Sequence, residues 1–279
     1  MPKKKVITFS HLQKKAEDFL ASHKTGIQNV TKSHNNIFEV SCYILIAQYY
    51  EQLGYTLEIK NSVDGKFRFR YSTNGFPWRY SYLAACAKDN NQPAFEIWHN
   101  QKVAGAWFEG DDDKDRPLFA LDIAVLNPGS LPSNLSFKDK GKGERVWAKN
   151  NDLITFGEAK NLVGYPMLIA QFLGIVHELK PSFLHEHKDT IPDIFYNQRH
   201  LPPSLITSGN MLSGAVRVLK SFEDRNIEIM VIENLSGRVF SEIISQLSRI
   251  IEKNSGKSPQ SGNLPYPEML ENTKLVVMV

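Results

Sequence analysis

Two apolar runs in the chain are each interrupted by one carboxylate. Asp122 stands in Ala120-Leu121-Asp122-Ile123-Ala124-Val125. Glu158 follows Leu153-Ile154-Thr155-Phe156-Gly157, and Lys160 comes two residues later. Burying an unpaired carboxylate costs on the order of several kcal/mol, so such residues require a cation. Side chains alternate along a strand, which turns Glu158 and Lys160 the same way. If the two runs are neighbouring strands, Asp122, Glu158 and Lys160 converge. Two carboxylates suit Mg²⁺, a hard cation that takes oxygen ligands and keeps several waters; Mn²⁺ can stand in for it. The metal would polarise a phosphodiester and acidify its bound water, while Lys160 orients that water and offsets charge building on the phosphate. The backbone carbonyl of Ala159 could add one oxygen ligand. The competing reading is a carboxylate–lysine ion pair buried inside a sheet.

The elements that would position these residues follow from pattern. Residues 34–53 carry Ile37, Val40, Ile44, Ala47 and Tyr50 at helical spacing, and Gly54 ends the run. Runs 55–60 and 66–71 read as strands joined by a hairpin at Asp64-Gly65. Residues 81–88 read as a short helix. Runs 94–99 and 103–108 read as a second hairpin, turning at Asn100-Gln101. Strands are expected over 118–126 and 152–159. A helix over 164–179 has Pro166 in its first turn and Pro181 beyond its end. Residues 182–208 read as irregular, followed by a helix over 211–222, a strand over 227–233 and a helix over 236–253. The expected fold is α/β (α+β), a central mixed sheet with helices on both faces. The expected organisation is a basic arm at 1–33, a core domain at 34–253, and a tail at 254–279 ending in a short strand.

In this order of elements, Asp122 and Glu158-Ala159-Lys160 resemble the PD-(D/E)XK nuclease superfamily, whose fold is restriction-endonuclease-like. The resemblance spans roughly residues 35–179, with looser agreement to Glu233. It implies a core of helix, three strands, helix and strand. The metal Asp lies in the second core strand, matched by Asp122, and the (D/E)-x-K in the third, matched by Glu158-Ala159-Lys160. The proline that often precedes the Asp is absent here, where Ala120-Leu121 stand. The resemblance implies a Mg²⁺-dependent endonuclease acting on DNA, in restriction, defence, transposition or repair. A rival on the same fold is a non-catalytic nucleic-acid-binding or assembly subunit. A third reading is an unrelated α/β enzyme. Cutting both strands is easiest with two sites, so a homodimer or a partner subunit is also an expectation. Many members carry a metal-site glutamate in the first core helix, where Glu39 stands. Its other reading is a capping box with Asn36 as N-cap. Some members place a glutamine in the second helix, matched by Gln171, whose other readings are a solvated or an interhelical amide.

The remaining signals are weaker. Glu96, in Phe95-Glu96-Ile97-Trp98, reads as an outward glutamate on a half-exposed strand, with a metal role as the alternative. Phe67 and Phe69 alternate with Arg68 and Arg70, as on a strand with a basic outer face that could follow phosphates. Lys138, Lys140, Lys142, Arg145 and Lys149 form a basic segment that could touch nucleic acid, as could the six lysines of residues 1–24. The acidic residues 111–115 would repel a polyanion and belong away from it. His185-Glu186-His187, with His99, His177 or His200, lacks the spacing of a zinc site. The 279-residue chain is 42% apolar with a net charge of +3, ordinary for a globular protein and only mildly basic. Two unpatterned cysteines, and no run of the ~20 apolar residues that span a bilayer, give the expectation of a cytoplasmic protein.

Overall fold

The computed structural model describes residues 9–29, 31, 33–87, 92–107, 117–131, 146–184, 195, 198–223, 225, 227–235, 240–254 and 275–278. Its centre is helix α2 (His34–Gln52), which buries nearly every side chain from Ile37 to Tyr50. A helix apolar all round must be covered all round. Helix α1 (Phe9–Ser22) and helix α5 (Phe240–Asn254) cover one side of it, and a sheet covers the other. Gly54, at φ 97, terminates α2 in the left-handed region that a Cβ disfavours.

Besides the short pair β1 (Gly26–Ile27) and β3 (Lys66–Phe67), eight strands form one mixed sheet. In chain order they are β2 (Thr56–Lys60), β4 (Tyr82–Cys86), β5 (Pro93–Ala104), β6 (Leu118–Leu126), β7 (Leu153–Lys160), β8 (Ser204–Thr207), β9 (Ile229–Ile232) and β10 (Leu275–Met278). Their spatial order is β10-β9-β8-β7-β6-β5-β4-β2. The pairs β7–β8 and β8–β9 are parallel, and the others antiparallel. Helix α3 (Pro166–Leu179) and helix α4 (Ser213–Glu223) pack on the second face, through Ile169, Phe172, Val176, Leu219 and Phe222. The expected mixed sheet with helices on both faces is therefore what the chain forms. Among the described residues no helix is long and apolar enough to cross a membrane.

Several local expectations fail for tertiary reasons. Within the segment expected as a basic arm, α1 packs on the core: Leu12, Ala16, Phe19 and Leu20 are buried in the cluster around α2. Residues 82–86 form a strand rather than a helix: the small side chains of Ala84 and Ala85 fit the slot between β2 and β5. Asp64 and Gly65 do make a tight turn, both at positive φ, but the flanking runs part. β2 pairs with β4, and β3 with β1. Asn100-Gln101 is no hairpin turn, because β5 runs straight through it along β6. The short strand β8 falls in the stretch read as irregular.

Candidate active site

The antiparallel register of β6 and β7 pairs Ile123 with Gly157, so the next rung sets Asp122 across from Glu158. Three contacts join the group. The Ala159 N–H donates to Asp122 Oδ2 at 2.8 Å. Lys160 Nζ donates to the same oxygen at 3.1 Å and to Glu158 Oε2 at 2.7 Å. The Asp122, Glu158 and Lys160 side chains are 14%, 5% and 35% exposed, so the lysine is the one that reaches solvent. The convergence expected of these three residues is thus realised. Glu158 Oε1 is buried and has no partner in hydrogen-bonding geometry. That is an oxygen with unused capacity in a place where an unused acceptor is unfavourable.

Strand alternation breaks at Asp122. Leu121 belongs to the cluster under α3, whereas Ile123 and Val125 belong to the cluster under α2. Strict alternation would put all three on one face. The neighbouring strand has its irregular residue at the same rung. His99 pairs with Ile123 and Gln101 with Leu121, which sets Asn100 across from Asp122, and Asn100 sits at φ 53. From there its Nδ2 donates to Glu39 Oε2 at 3.3 Å.

Glu39 therefore belongs to the group, reaching it from α2. The capping-box alternative fails. The helix begins one turn earlier, with Ser33 at the N-cap, and Asn36 Nδ2 bonds Thr31 Oγ1 instead. Burial and then the charge of Asp122 push the Glu39 carboxyl up to about 7, against Asn100 and Lys160. Burial, with Asp122 again second, also raises Glu158, against Lys160 and the nearby main-chain N–H of Asp122. For Lys160 burial acts downward, but the two carboxylates outweigh it and hold the ammonium charged. The acids outnumber the cation, so the group favours a further positive charge.

Its donor chemistry fits a hard divalent cation, being all oxygen, with one buried oxygen unsatisfied. Among the described residues no ready-made group of three or more His, Cys, Asp or Glu ligands exists. Protein donors to a metal here would be Asp122, Glu158 and a main-chain carbonyl, with water completing the shell. The remaining ammonium protons of Lys160 could meet a phosphate oxygen or a water.

Other expected residues lie elsewhere. Gln171 is on the exposed face of α3 and bonds none of these groups, so it is a solvated amide. Lys149 is exposed, next to the turn Asn150–Asp152. Lys138, Lys140, Lys142 and Arg145, the acidic residues 111–115, and His185-Glu186-His187 lie outside the described residues. His99 is enclosed by the rings of Tyr43, Phe69 and Tyr71, and His200 bonds Tyr50 and Gln198.

Two expectations reverse. Glu96 is buried, not outward, and accepts from Trp98 Nε1 at 2.9 Å and Gly129 N at 3.0 Å. Arg70 is buried too, and donates to Gln101 and to the carbonyls of Ser72, Thr73 and Gly75, so it offers no basic face. The residue missed at the site is Asn100, whose left-handed backbone looks like a turn until β6 is seen beside it. No protein-family model, no curated protein and no solved structure matches the chain.

Proposed function

We propose that the chain is a Mg²⁺-dependent nuclease that hydrolyses phosphodiester bonds, with DNA as its polymer and a restriction-endonuclease-like core as its fold. The observation that carries this reading is the Asp122–Lys160–Glu158 group with its unsatisfied buried oxygen. The order α2, β5, β6, β7, α3, β8 supports it, being helix, three antiparallel strands, helix and a parallel strand. Asp122 then lies in the second of those three strands and Glu158-Ala159-Lys160 in the third.

Asp122 and Glu158 would hold the metal, with the Ala159 carbonyl as a further oxygen and Glu39 supporting through the Asn100 contact. A bound Mg²⁺ supplies Lewis acidity and a more acidic water. Lys160, held charged by its carboxylates, orients the attacking water and donates to the phosphate oxygen that gains charge. Buried carboxylates surrounded by protein keep the number of competing waters low.

The test is DNA cleavage in Mg²⁺ or Mn²⁺, abolished by EDTA and by Asp122→Ala or Lys160→Ala. Intact DNA of several forms under both metals, with those variants indistinguishable from the parent, overturns the proposal. One observation favours a second reading. Lys160 already bonds both carboxylates, as a purely structural ion triad would, on a non-catalytic nucleic-acid-binding or assembly subunit. In that case metal leaves the protein's stability and its DNA binding unchanged.

A further inference from the structure

Immediately beyond Lys160 the chain becomes apolar and exposed. Leu162, Val163, Tyr165 and Met167 follow it, and Leu212 joins them from the loop after β8. Met167 is 61% exposed and Leu212 50%. The two loops are zipped together by main-chain bonds. Ser208 N–H donates to Lys160, Gly209 N–H to Leu162, Gly164 N–H to Asn210 and Leu212 N–H to Gly164. The packing leaves no room at the glycines. A Cβ on Gly164 would collide with the Met211 thioether, and one on Gly209 would lie 2.8 Å from Val163 Cγ1. These apolar side chains are thus held outward on a fixed frame. Contiguous exposed apolar surface of this kind marks a site of interaction.

What meets this crest follows from its place. Leu162 is two residues from Lys160, so at most about 7 Å of backbone separates them. A polymer whose phosphate sits at Lys160 brings its neighbouring nucleotides within reach of the crest. Residues 161–167 and 208–212 contain no charged side chain, and the one carboxylate bonded to them, Glu233, is engaged by the Met211 N–H. Helices α3 and α4 begin at this edge with no acidic residue in their first turns, which favours an anionic chain. A continuous duplex presents charged backbone and polar groove edges, a poor match for leucine, valine and methionine. Bases freed from the stack present apolar π faces, which stack on tyrosine and pack on aliphatic side chains.

We propose that the crest of Leu162, Val163, Tyr165, Met167 and Leu212 receives unpaired nucleobases beside the scissile phosphate, making locally unpaired or single-stranded nucleic acid the preferred substrate. The inference rests on the nuclease reading of the adjacent site for its geometry. It has its own readout in binding.

The experiment uses the full chain and three labelled probes: a DNA strand alone, the same strand fully paired, and the strand in a duplex with a central unpaired bubble. An RNA strand of the same sequence separates the two sources of unpaired bases. Binding is followed by fluorescence anisotropy in EDTA, and cleavage is followed separately in Mg²⁺. The strand and the bubble are expected to bind more tightly and to be cut faster than the continuous duplex. Tyr165→Ala is expected to weaken strand binding roughly tenfold, the scale of one lost base–aromatic contact. Leu162→Ser with Leu212→Ser, both at exposed positions, removes part of the preference without touching the core. Asp122→Ala abolishes cleavage and keeps the preference. Binding preference without cleavage of any probe supports the crest assignment and sinks the nuclease reading. Equal binding of all probes, crest variants that leave the preference unchanged, or a dimer in sedimentation that the crest variants dissolve, each overturns the crest assignment.

Discussion

Glu96 and Glu158 are both strand glutamates, and they are almost equally buried, at 5% and 4% exposure. Glu96 shares its two oxygens between two neutral N–H donors and touches no cation. It ties the strand β5 to the turn that follows β6. Glu158 gives one oxygen to an ammonium, lies beside a second carboxylate, and has no bond of good geometry at its other oxygen. Burial alone therefore separates nothing. What separates a structural carboxylate from a candidate ligand is coordination left over after the protein has made its own bonds.

The largest way to test that contrast is activity. Asp122→Ala and Lys160→Ala should each lower the Mg²⁺-dependent cleavage rate by at least roughly 10²–10³-fold, as loss of a transition-state contact does. Glu96→Gln should leave the rate of the folded protein within about threefold, since no reacting group touches it. A single-turnover assay on gel-purified DNA reads both. If Glu96→Gln is as inactive as Lys160→Ala, the contrast is wrong.

Stability should invert the order. Glu96→Gln places an amide donor where two donors already point, so urea unfolding should report a loss of about 1–3 kcal/mol. Glu158→Gln removes a charge beside Asp122 and can keep its carbonyl on Lys160. It should change stability by less than about 1 kcal/mol. A large loss for Glu158→Gln would make that residue a structural carboxylate after all.

The pH dependence sharpens the comparison further. Glu39 has a folded pKa raised from 4.5 to about 7, so the folded state holds its proton more tightly than the unfolded chain. Its contribution is greatest at low pH and is lost as pH rises through that window. Thermal melts in EDTA should show the loss in the parent protein and a flatter profile in Glu39→Gln. Added Mg²⁺ should raise Tm more above about pH 7 than at about pH 5, because carboxylate ligands must be deprotonated. Identical profiles with and without metal would count against a metal site.

The smallest effect concerns Asn100→Gly. It relieves the positive φ and removes the bond to Glu39. Titration with Mn²⁺ should show metal affinity weakened by less than about tenfold, the lower range for supporting ligand contacts. Tighter binding in the variant would mean that Asn100 restrains Glu39 rather than placing it.

The strands that carry the candidate site were legible in sequence because their apolar runs are long and sharply bounded. The reading of 118–126 matches β6 at both ends. Asp122, Glu158 and Lys160 stood out as polar residues inside those runs. The failures have other causes. Ala84 and Ala85 carry no strand signal, and only the slot between β2 and β5 makes them a strand. Asn100 has the backbone of a turn, and only hydrogen bonding to β6 keeps β5 straight. Glu96 bonds the nearby Trp98 and the later Gly129, and Arg70 bonds the turn just after it and Gln101; strand alternation reveals none of these partners. At the rung of Asp122 alternation itself fails, because the face changes there.

The all-round burial of α2 also carries a consequence for synthesis. Its cover includes β5, β6 and β7 and, last in the chain, α5. α2 ends at residue 52 and α5 begins at residue 240. A ribosome adding about 5–20 residues per second needs on the order of ten seconds or more to cross that gap. Throughout that interval the nascent chain holds a largely apolar segment whose final shelter has not been translated. The emerging polypeptide is therefore a natural client for a holding chaperone, and its yield should respond to translation speed more than its finished stability would suggest.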